Sequence, residues 1–274
     1  MSLVIAAAAL PCGLLIGLLL GALGGGGSVL AVPALVYLLG QSPHEATAGA
    51  LVVVAVGAVT GLACHARAGR IRWAAGAAFG TLGTAGTFLG SRWSATIGPT
   101  VLMTAFAGLM LTVAAALLIR IPRERGAQAA PLPLGDLARP QAPAGGHRPT
   151  RSLRPLRVAA TASAVGLLTG FFGVGGGFVV VPALTLVLGL EMPVAIGTSL
   201  LVILINSATA LATRAGTGPL DWPLLTGFAA CAALGSYLGN RLTTRLPPQT
   251  LTTAFASLVT LLAVTMAAAA IPRL

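Results

Sequence analysis

The chain is poor in charged residues. Only 8% of its 274 residues are charged, and lysine is absent, whereas a soluble domain carries about 25% charged residues. The acidic residues all lie outside the centres of the apolar runs, and they are Glu45, Glu124, Asp136, Glu191 and Asp221. A carboxylate proton relay or a sodium cage in the middle of a membrane therefore has no candidate side chain.

The chain also lacks the motifs of common hydrolases and nucleotide-binding proteins. It contains no HExxH, GxSxG or GxxxxGK[ST] pattern. The cysteines Cys12, Cys64 and Cys231 show no CxxC spacing, so neither a metal site nor a disulfide framework is indicated. We predict that the protein is not an enzyme and has no metal or cofactor. We also predict that His44 and His65 are solvated side chains at helix ends.

What the chain has in excess is apolar sequence. Hydrophobic residues make up 56% of it, and several runs approach or reach the ~20 residues that cross a bilayer as a helix. None of these runs has a polar face, which excludes a soluble helical domain. The runs are Ala46–Ala66, Trp73–Leu89, Thr100–Ile119, Val194–Thr213, Leu224–Leu238 and Leu251–Ile271. The predicted fold class is an all-α integral membrane protein surrounded by the lipid bilayer.

Arginine is concentrated in one segment of the chain. Eight of the 16 arginines and seven of the 18 prolines fall between Arg120 and Arg157. The net charge of +11 would suit nucleic acid, but retention of basic segments on the cytoplasmic side explains the clustering better. We predict no nucleic-acid partner. Residues 121–157 are predicted to be a flexible cytoplasmic linker in a multi-pass protein of the bacterial cytoplasmic (inner) membrane.

Two stretches of the chain match almost glycine for glycine. GLLLGALGGGGSVLAVPAL begins at Gly17, and GLLTGFFGVGGGFVVVPAL begins at Gly166, 149 positions later. The same offset relates Trp73 to Trp222 and GTFLGSR to GSYLGNR. The sequence therefore predicts two membrane repeats, residues 1–120 and 158–274, each with a glycine-broken segment and three transmembrane helices.

The glycine-broken segment leaves two topologies open. A helix over residues 29–39, after the glycines, would be about 16 Å long, about half of a ~30 Å hydrocarbon core. The segment is either one broken span, which makes the repeats parallel, or a re-entrant hairpin, which makes them inverted. Both topologies place the same number of arginines inside. We favour inverted repeats, because inverted repeats with broken elements at the midplane recur in transporters.

The glycine runs predict a pair of substrate-binding turns. Backbone outside a helix is tolerated in a membrane only where protein or a water-filled cavity satisfies it, and glycine permits the positive φ angles of such turns. A helix that starts after the turn directs N–H groups and its positive dipole end into the gap, which suits an anion. The alternative is that the glycines serve close helix packing. The candidate residues are Gly24, Gly25, Gly26, Gly27, Ser28, Gly173, Gly175, Gly176 and Gly177.

Five further polar residues belong to the predicted site. Thr198, Ser199 and Asn206 lie in an apolar run, where polar groups are costly and are functional candidates. The alternative for these three is hydrogen bonding between helices. Arg92 and Arg241 occupy matched positions near helix ends and are candidates for attracting anions at two mouths. The alternative for the arginines is snorkelling to the membrane interface.

The whole pattern resembles the TauE/SafE family of sulfite and organosulfonate exporters. The resemblance rests on GVGGGFVVVPAL at 173–184, GGGGSVLAVPAL at 24–35, AIGTSL at 195–200, LDW at 220–222 and the LGxR helix ends. It implies a transporter that moves a small anion, a sulfur oxyanion or an organosulfonate, by alternating access at the repeat interface. An anion channel with the same glycine-turn site is the alternative function, and a structural membrane protein is the weaker one.

The first repeat, which we call copy one, departs from the family pattern at two places; copy two is the second repeat. Copy one reads TAGAL from Thr47 where copy two reads GTSL, and Ser28 stands where copy two has Gly177. The two halves of a shared site would therefore differ in their chemistry. A homo-oligomer is compatible with the sequence, but nothing in the sequence indicates one.

Overall fold

A computed structural model of the protein describes residues 3–38, 40–98, 155–172, 177–214 and 222–243, with short pieces within 101–112 and 245–261. All regular structure in these ranges is helical, and no strand occurs in them. The prediction of an all-α protein is confirmed. Most of the predicted linker lies outside the described residues, but a helix already begins at Pro155, inside its predicted end.

The first half of the chain forms four α-helices among the described residues. They are α1 (Leu3–Leu23), α2 (Gly26–Pro33), α3 (Pro43–Arg67) and α4 (Trp73–Ser94), and α2 continues as a π-helix over Ala34–Leu38. The second half forms α5 (Pro155–Phe172), α6 (Gly177–Val187), α7 (Met192–Arg214) and α8 (Trp222–Thr243). Further helical residues occur within 101–112 and 250–261.

The start of α3 shows how local sequence sets a helix boundary. The Ser42 hydroxyl accepts a hydrogen bond from the Glu45 N–H at 3.4 Å, and the Glu45 carboxylate accepts one from the Ser42 N–H at 3.2 Å. This reciprocal capping box satisfies two backbone donors at the helix start. Glu45 is thereby occupied at an exposed helix end rather than placed in the apolar interior.

The surface of the molecule is unusually apolar. Two described helices, His44–Arg67 and Met192–Thr213, are long and apolar enough to cross a membrane. Large apolar side chains on several helices are exposed, among them Leu15, Val59, Leu89, Trp93, Leu234 and Leu238. Several serine and threonine side chains, in contrast, are buried in the interior, among them Ser28, Thr87 and Ser199. An apolar exterior with buried polar groups is the arrangement that a lipid environment favours.

Three helices, α1, α3 and α8, run in the same direction, and we call them the first trio. Residue numbers rise together along the contacting backbones, which establishes their parallel packing. The pairs are Gly17 with Ala232, Gly21 with Ser236, Gly49 with Leu225 and Gly61 with Ser236. Two of these helices come from the first half of the chain and one from the second half.

The helices α4, α5 and α7 are also mutually parallel, and we call them the second trio. Their contacting pairs are Gly83 with Gly166, Thr87 with Gly170, Gly76 with Thr198 and Gly80 with Ile205. The two trios run in opposite directions, because Gly61 of α3 meets Leu200 of α7 while His65, further along α3, lies beside Gly197.

The short helix α2 folds back along α1. Gly27 packs against the backbone of Ile16 and Leu20, whereas a straight continuation of α1 would carry it away from them. The chain therefore reverses direction at the glycines and forms a helical hairpin. This geometry places the start of α2 in the interior of the molecule, where Val29 and Ala31 are fully buried.

Candidate functional site

The break between α1 and α2 is formed by Gly24 and Gly25. Gly24 has φ of +73°, a left-handed conformation that glycine adopts without steric cost. Gly26 and Gly27 already belong to α2. The expectation that the helix starts only after the glycine run is therefore wrong: two glycines suffice for the turn, and the other two allow α2 to approach α1 closely.

The backbone carbonyls at the end of α1 have hydrogen-bond partners from three parts of the protein. The Leu20 carbonyl accepts a hydrogen bond from the Gly24 N–H at 2.9 Å. The Gly21 carbonyl lies 3.3 Å from Nε2 of His65, and the Ala22 carbonyl accepts from the Thr243 hydroxyl at 3.0 Å. The last carbonyls of a helix have no partner within the helix, so these contacts make a helix end tolerable inside an apolar protein.

One glycine of each run, Gly25 and Gly177, meet in the interior of the molecule. Gly25 packs directly on the backbone of Gly177, and a Cβ on either residue would overlap the other. Gly177 is the first residue of α6 and also lies against Ile203 of α7. The other predicted glycines of copy two, Gly173, Gly175 and Gly176, lie outside the described residues.

Ser28 lies just inside α2 and is fully buried. Its hydroxyl donates to the Gly25 carbonyl at 2.7 Å, and its N–H lies 3.2 Å from the same oxygen. Ser28 therefore satisfies the backbone of its own turn, while its hydroxyl oxygen retains the capacity to accept a hydrogen bond.

Ser199 is the polar residue of α7 that lies at the break. It is fully buried, and its hydroxyl lies 2.7 Å from the Ile196 carbonyl and 3.4 Å from the Gly24 carbonyl. A Cβ on Gly24 would come within 2.8 Å of this hydroxyl. The sequence predicts Ser199 beside the turn of residues 173–177, and this stays a prediction because residues 173–176 lie outside the described ranges. The contact that the structure shows is with Gly24.

Thr198 lies on a different side of α7 from Ser199. Its hydroxyl accepts a hydrogen bond from the Arg72 N–H at 3.1 Å, and its methyl group lies against Gly76 of α4. These contacts tie α7 to the connection between α3 and α4. The structure thus brings Ser199, but not the Thr198 hydroxyl, to Gly24.

Asn206 is buried without a hydrogen-bond partner among the described residues. Only 1% of it is exposed, and neither Oδ1 nor Nδ2 is paired. The amide lies opposite Gly83 of α4. Leaving a buried amide unpaired costs about 1–3 kcal/mol, so Asn206 is a polar group with free donor and acceptor capacity inside an apolar helix bundle.

His65 occupies the interior, contrary to the prediction of a solvated loop histidine. It is fully buried, and its ring reaches the Gly21 carbonyl near the break. Gly197, in the AIGTSL stretch, packs against the Arg70 carbonyl, and a Cβ at this position would also come within 3.3 Å of the His65 Cβ. The pairing across the chain between residues 65 and 197 was not visible from the sequence.

Arg92 and Arg241 lie at exposed helix ends, away from the break. Arg92 stacks over the Phe88 ring at 5.0 Å. Arg241 stacks over the Tyr237 ring at 5.0 Å and donates to its hydroxyl at 2.8 Å. Because α4 and α8 run in opposite directions, the two arginines lie at opposite ends of the bundle.

The arrangement offers hydrogen-bond donors without carboxylates. No group of three potential metal ligands occurs among the described residues, and the buried polar side chains are hydroxyls, one amide and one imidazole. Hydroxyl, amide and imidazole groups can each donate or accept a hydrogen bond.

Comparison with known proteins identifies relatives over most of the chain. The family described as sulfite exporter TauE/SafE matches residues 9–266. A probable membrane transporter protein of Xylella fastidiosa (strain Temecula1) is 34% identical over 233 residues, which cover 85% of this chain and 82% of the relative. The probable membrane transporter protein YdhB of Bacillus subtilis is 27% identical over 240 residues, 85% of this chain and 88% of YdhB. No solved structure matches the chain.

Proposed function

Because the chain belongs to the sulfite exporter TauE/SafE family, whose members are membrane transporters and not enzymes, we propose that it carries small anions across the cytoplasmic membrane. The proposed substrates are sulfite, related sulfur oxyanions and organosulfonates. The expectations of a membrane protein and of a transporter are confirmed by the family and by its relatives. The substrate class and the mechanism are our proposal.

The observation that carries the proposal is the contact between Gly25 and Gly177. It brings together the starts of α2 and α6, the two short helices that follow the glycine runs. The first N–H groups of a helix have no partner within the helix, and the helix dipole adds positive potential there. Two helix starts meeting in an apolar interior form an environment that favours an anion without a buried basic side chain.

The buried polar side chains near this point complete the proposed site. Ser199 lies beside Gly24 and can turn its hydroxyl proton toward an anion. Asn206 lies on the same helix. Its unpaired amide can donate a hydrogen bond to an anion that passes between the helices of the second trio. Thr198 remains a candidate for substrate binding. Its hydroxyl would donate to the anion while its oxygen accepts the hydrogen bond from the Arg72 N–H.

We further propose that the chain consists of two inverted repeats that alternate in access. Matched helices, α1 with α5, α3 with α7 and α4 with α8, belong to opposite trios, and this opposite direction supports inversion. The hairpin of α1 and α2 supports the re-entrant form of the broken segment. Rocking of one trio against the other around the glycine contact would expose the site to each side in turn.

Thermal stabilisation of the purified protein tests the substrate class. A ligand that binds the folded state alone raises the unfolding temperature of the protein. We expect sulfite, thiosulfate or methanesulfonate to raise this temperature, and acetate to raise it by a smaller amount. Stabilisation by none of the sulfur anions would contradict the proposed substrate. In liposomes, a rate of sulfite flux beyond about 10³ ions per second, well above usual turnover numbers, would indicate the channel instead.

The sides of the membrane on which the C-terminus and the linker lie test the inverted topology. With the linker in the cytoplasm and three crossings after it, a reporter fused after Leu274 should face the opposite side of the membrane. A second reporter placed in the linker after Gly146 serves as the cytoplasmic control. Cytoplasmic signals from both fusions would support parallel repeats and refute inversion.

A further inference from the structure

His65 is the one ionisable side chain among the fully buried residues in the described ranges. Its Nε2 lies 3.3 Å from the Gly21 carbonyl, and a carbonyl oxygen accepts but cannot donate a hydrogen bond. Nε2 must therefore carry the hydrogen in this contact. In a neutral imidazole the other nitrogen then holds the free lone pair, so Nδ1 is the position at which a proton would add.

Nδ1 has no hydrogen-bond partner among the described residues. A ring retained only to cap the end of α1 would need Nε2 alone, so the unpaired Nδ1 is an unexplained acceptor in the interior. An unpaired buried acceptor is costly. Burial disfavours a charged ring, but an anion nearby favours it, so the anion and the proton on Nδ1 would stabilise each other.

The surroundings of His65 supply few competing charges. α1 contributes the Gly21 carbonyl, and α7 contributes the backbone at Gly197. Arg70, in the connection after α3, is positive, and its field opposes a positive charge on the ring, so a bound anion is needed to offset it. On the other packed helix, α8, Arg241 is exposed and bonded to Tyr237. The described acidic residues Glu45 and Glu191 are also exposed, so no carboxylate occupies the interior as a rival proton site.

We propose that His65 is the proton-binding group of the transporter and that its protonation is coupled to anion binding at the glycine break. This inference rests on the proposed transport of an anion. A proton from the aqueous side near the α3–α4 connection adds to the Nδ1 lone pair, and the ring becomes a cation. The ring keeps its hydrogen bond to Gly21, in the last turn before Gly24, so the new charge lies next to the break.

Coupling between the proton and the anion follows from this placement. A positive ring favours an anion at the break, and by reciprocity a bound anion favours the positive ring. We expect the anion to bind about 5- to 150-fold more tightly when His65 is protonated, the usual range of such couplings. The affinity should be higher below the pH at which the ring titrates and should fall as the pH rises through it.

The titration itself can be measured without any substrate. The chain has three histidines, so the double variant His44→Gln with His147→Gln leaves His65 alone. We expect its ring NMR signals to shift reversibly as the pH is changed. Methanesulfonate, whose charge is constant during this titration, should raise the midpoint. A signal that stays constant from pH 5 to 8 would overturn the inference, whatever the outcome of the substrate panel.

Transport in liposomes provides the second measurement. Gln at position 65 can still donate to the Gly21 carbonyl but cannot titrate, so His65→Gln should retain the fold and lose the response of methanesulfonate flux to a pH gradient. His44→Gln, a change at the other end of the same helix, should respond as the unaltered protein does. A full response in His65→Gln would refute the coupling, and the unfolding temperature of each variant shows whether the fold is intact.

Discussion

The two trios of helices have the same packing but different interiors. Both are joined by backbone contacts at glycines that stand 149 positions apart, such as Gly17 and Gly166. The second trio buries eight hydroxyl or amide side chains among the described residues, namely Thr87, Ser91, Ser94, Thr169, Thr198, Ser199, Asn206 and Ser207. The first trio buries four polar side chains, Thr47, His65, Ser236 and Thr243.

Matched positions show where the difference arises. The second trio has Thr169, Asn206 and Ser207 where the first has Leu20, Gly57 and Ala58, and it has Ser199 where the first has Ala50. Backbone contact constrains several glycines in both trios, such as Gly17 and Gly166, because a side chain there would meet the backbone of a neighbouring helix. The polar positions are free of that constraint. The two trios thus share glycine contacts, whereas their buried polar side chains differ.

The largest effect should come from filling the shared backbone contacts. Gly17→Leu and Gly166→Leu each place a side chain on the backbone of a neighbouring helix, at Ala232 and at Gly83. We expect each to lower the free energy of unfolding by about 3 kcal/mol, the upper end for overpacking, as measured by thermal unfolding in detergent. Gly227→Leu is the control, because no atom lies within 4 Å of a Cβ at that position.

Equal losses at Gly17 and Gly166 would sharpen the comparison between the trios. A difference of more than about 1 kcal/mol between the two losses of unfolding free energy is beyond the scatter expected for equivalent sites. It would show that the glycine contacts contribute unequally to stability in the two trios. Instability of the Gly227 control would indicate that any change on these helices is harmful, and would contradict the role assigned to the contacts.

The next effect concerns the adjacent hydroxyls of α7. Ser199→Ala should weaken binding of the stabilising sulfur anion by about 10- to 150-fold, because a hydrogen bond to a charged group is worth roughly 1.5–3 kcal/mol. Thr198→Val should chiefly lower the unfolding temperature, since it leaves the Arg72 N–H without its acceptor. Titration calorimetry and thermal unfolding of both variants separate the two roles. Unchanged affinity in Ser199→Ala would remove this residue from the site.

A smaller change in stability, of opposite sign in the two trios, is expected when the buried polar groups of Asn206 and Ser236 are removed. Asn206→Leu removes an unpaired buried amide, so stability should rise by about 1 kcal/mol while transport falls. Ser236→Ala removes a hydroxyl that donates to the Gly57 carbonyl at 2.8 Å, so stability should fall by about 1 kcal/mol while transport persists. Thermal unfolding and sulfite flux report the two quantities. Destabilisation by Asn206→Leu would mean that its amide is a structural contact.

Part of this architecture follows from sequence alone. The apolar runs predicted at Ala46–Ala66 and Val194–Thr213 lie within α3 and α7, because hydropathy and length indicate membrane helices directly. The repeated glycines predicted that two breaks serve one site, and the contact between Gly25 and Gly177 supports that prediction. The arginine counts of the two topologies are equal and do not decide the relative direction of the repeats, so inversion was favoured only by analogy with other transporters.

What escaped prediction depends on contacts between distant residues. His65 precedes a basic loop, and nothing in its local sequence reveals that it contacts the Gly21 carbonyl, 44 residues away. Likewise, the Thr198 hydroxyl accepts from Arg72, 126 residues away, so a spacing argument on one helix could not separate it from Ser199. Helix periodicity places residues on a face, but only the packing of other helices determines what that face meets.

The smallest effect should come from Arg92 and Arg241, the matched charges at opposite ends of the bundle. Each is exposed and stacked on an aromatic ring four residues earlier, so solvent and salt screen its attraction for an anion. Arg92→Gln and Arg241→Gln should each slow flux from one side by less than about fivefold. The loss should vanish at about 1 M salt, where the Debye length is ~3 Å. Flux from oriented vesicles, with Arg67→Gln at the exposed end of α3 as the control, tests this. A loss that persists at high salt would place the arginine in contact with the anion, and equal losses from both sides would contradict its position at one end.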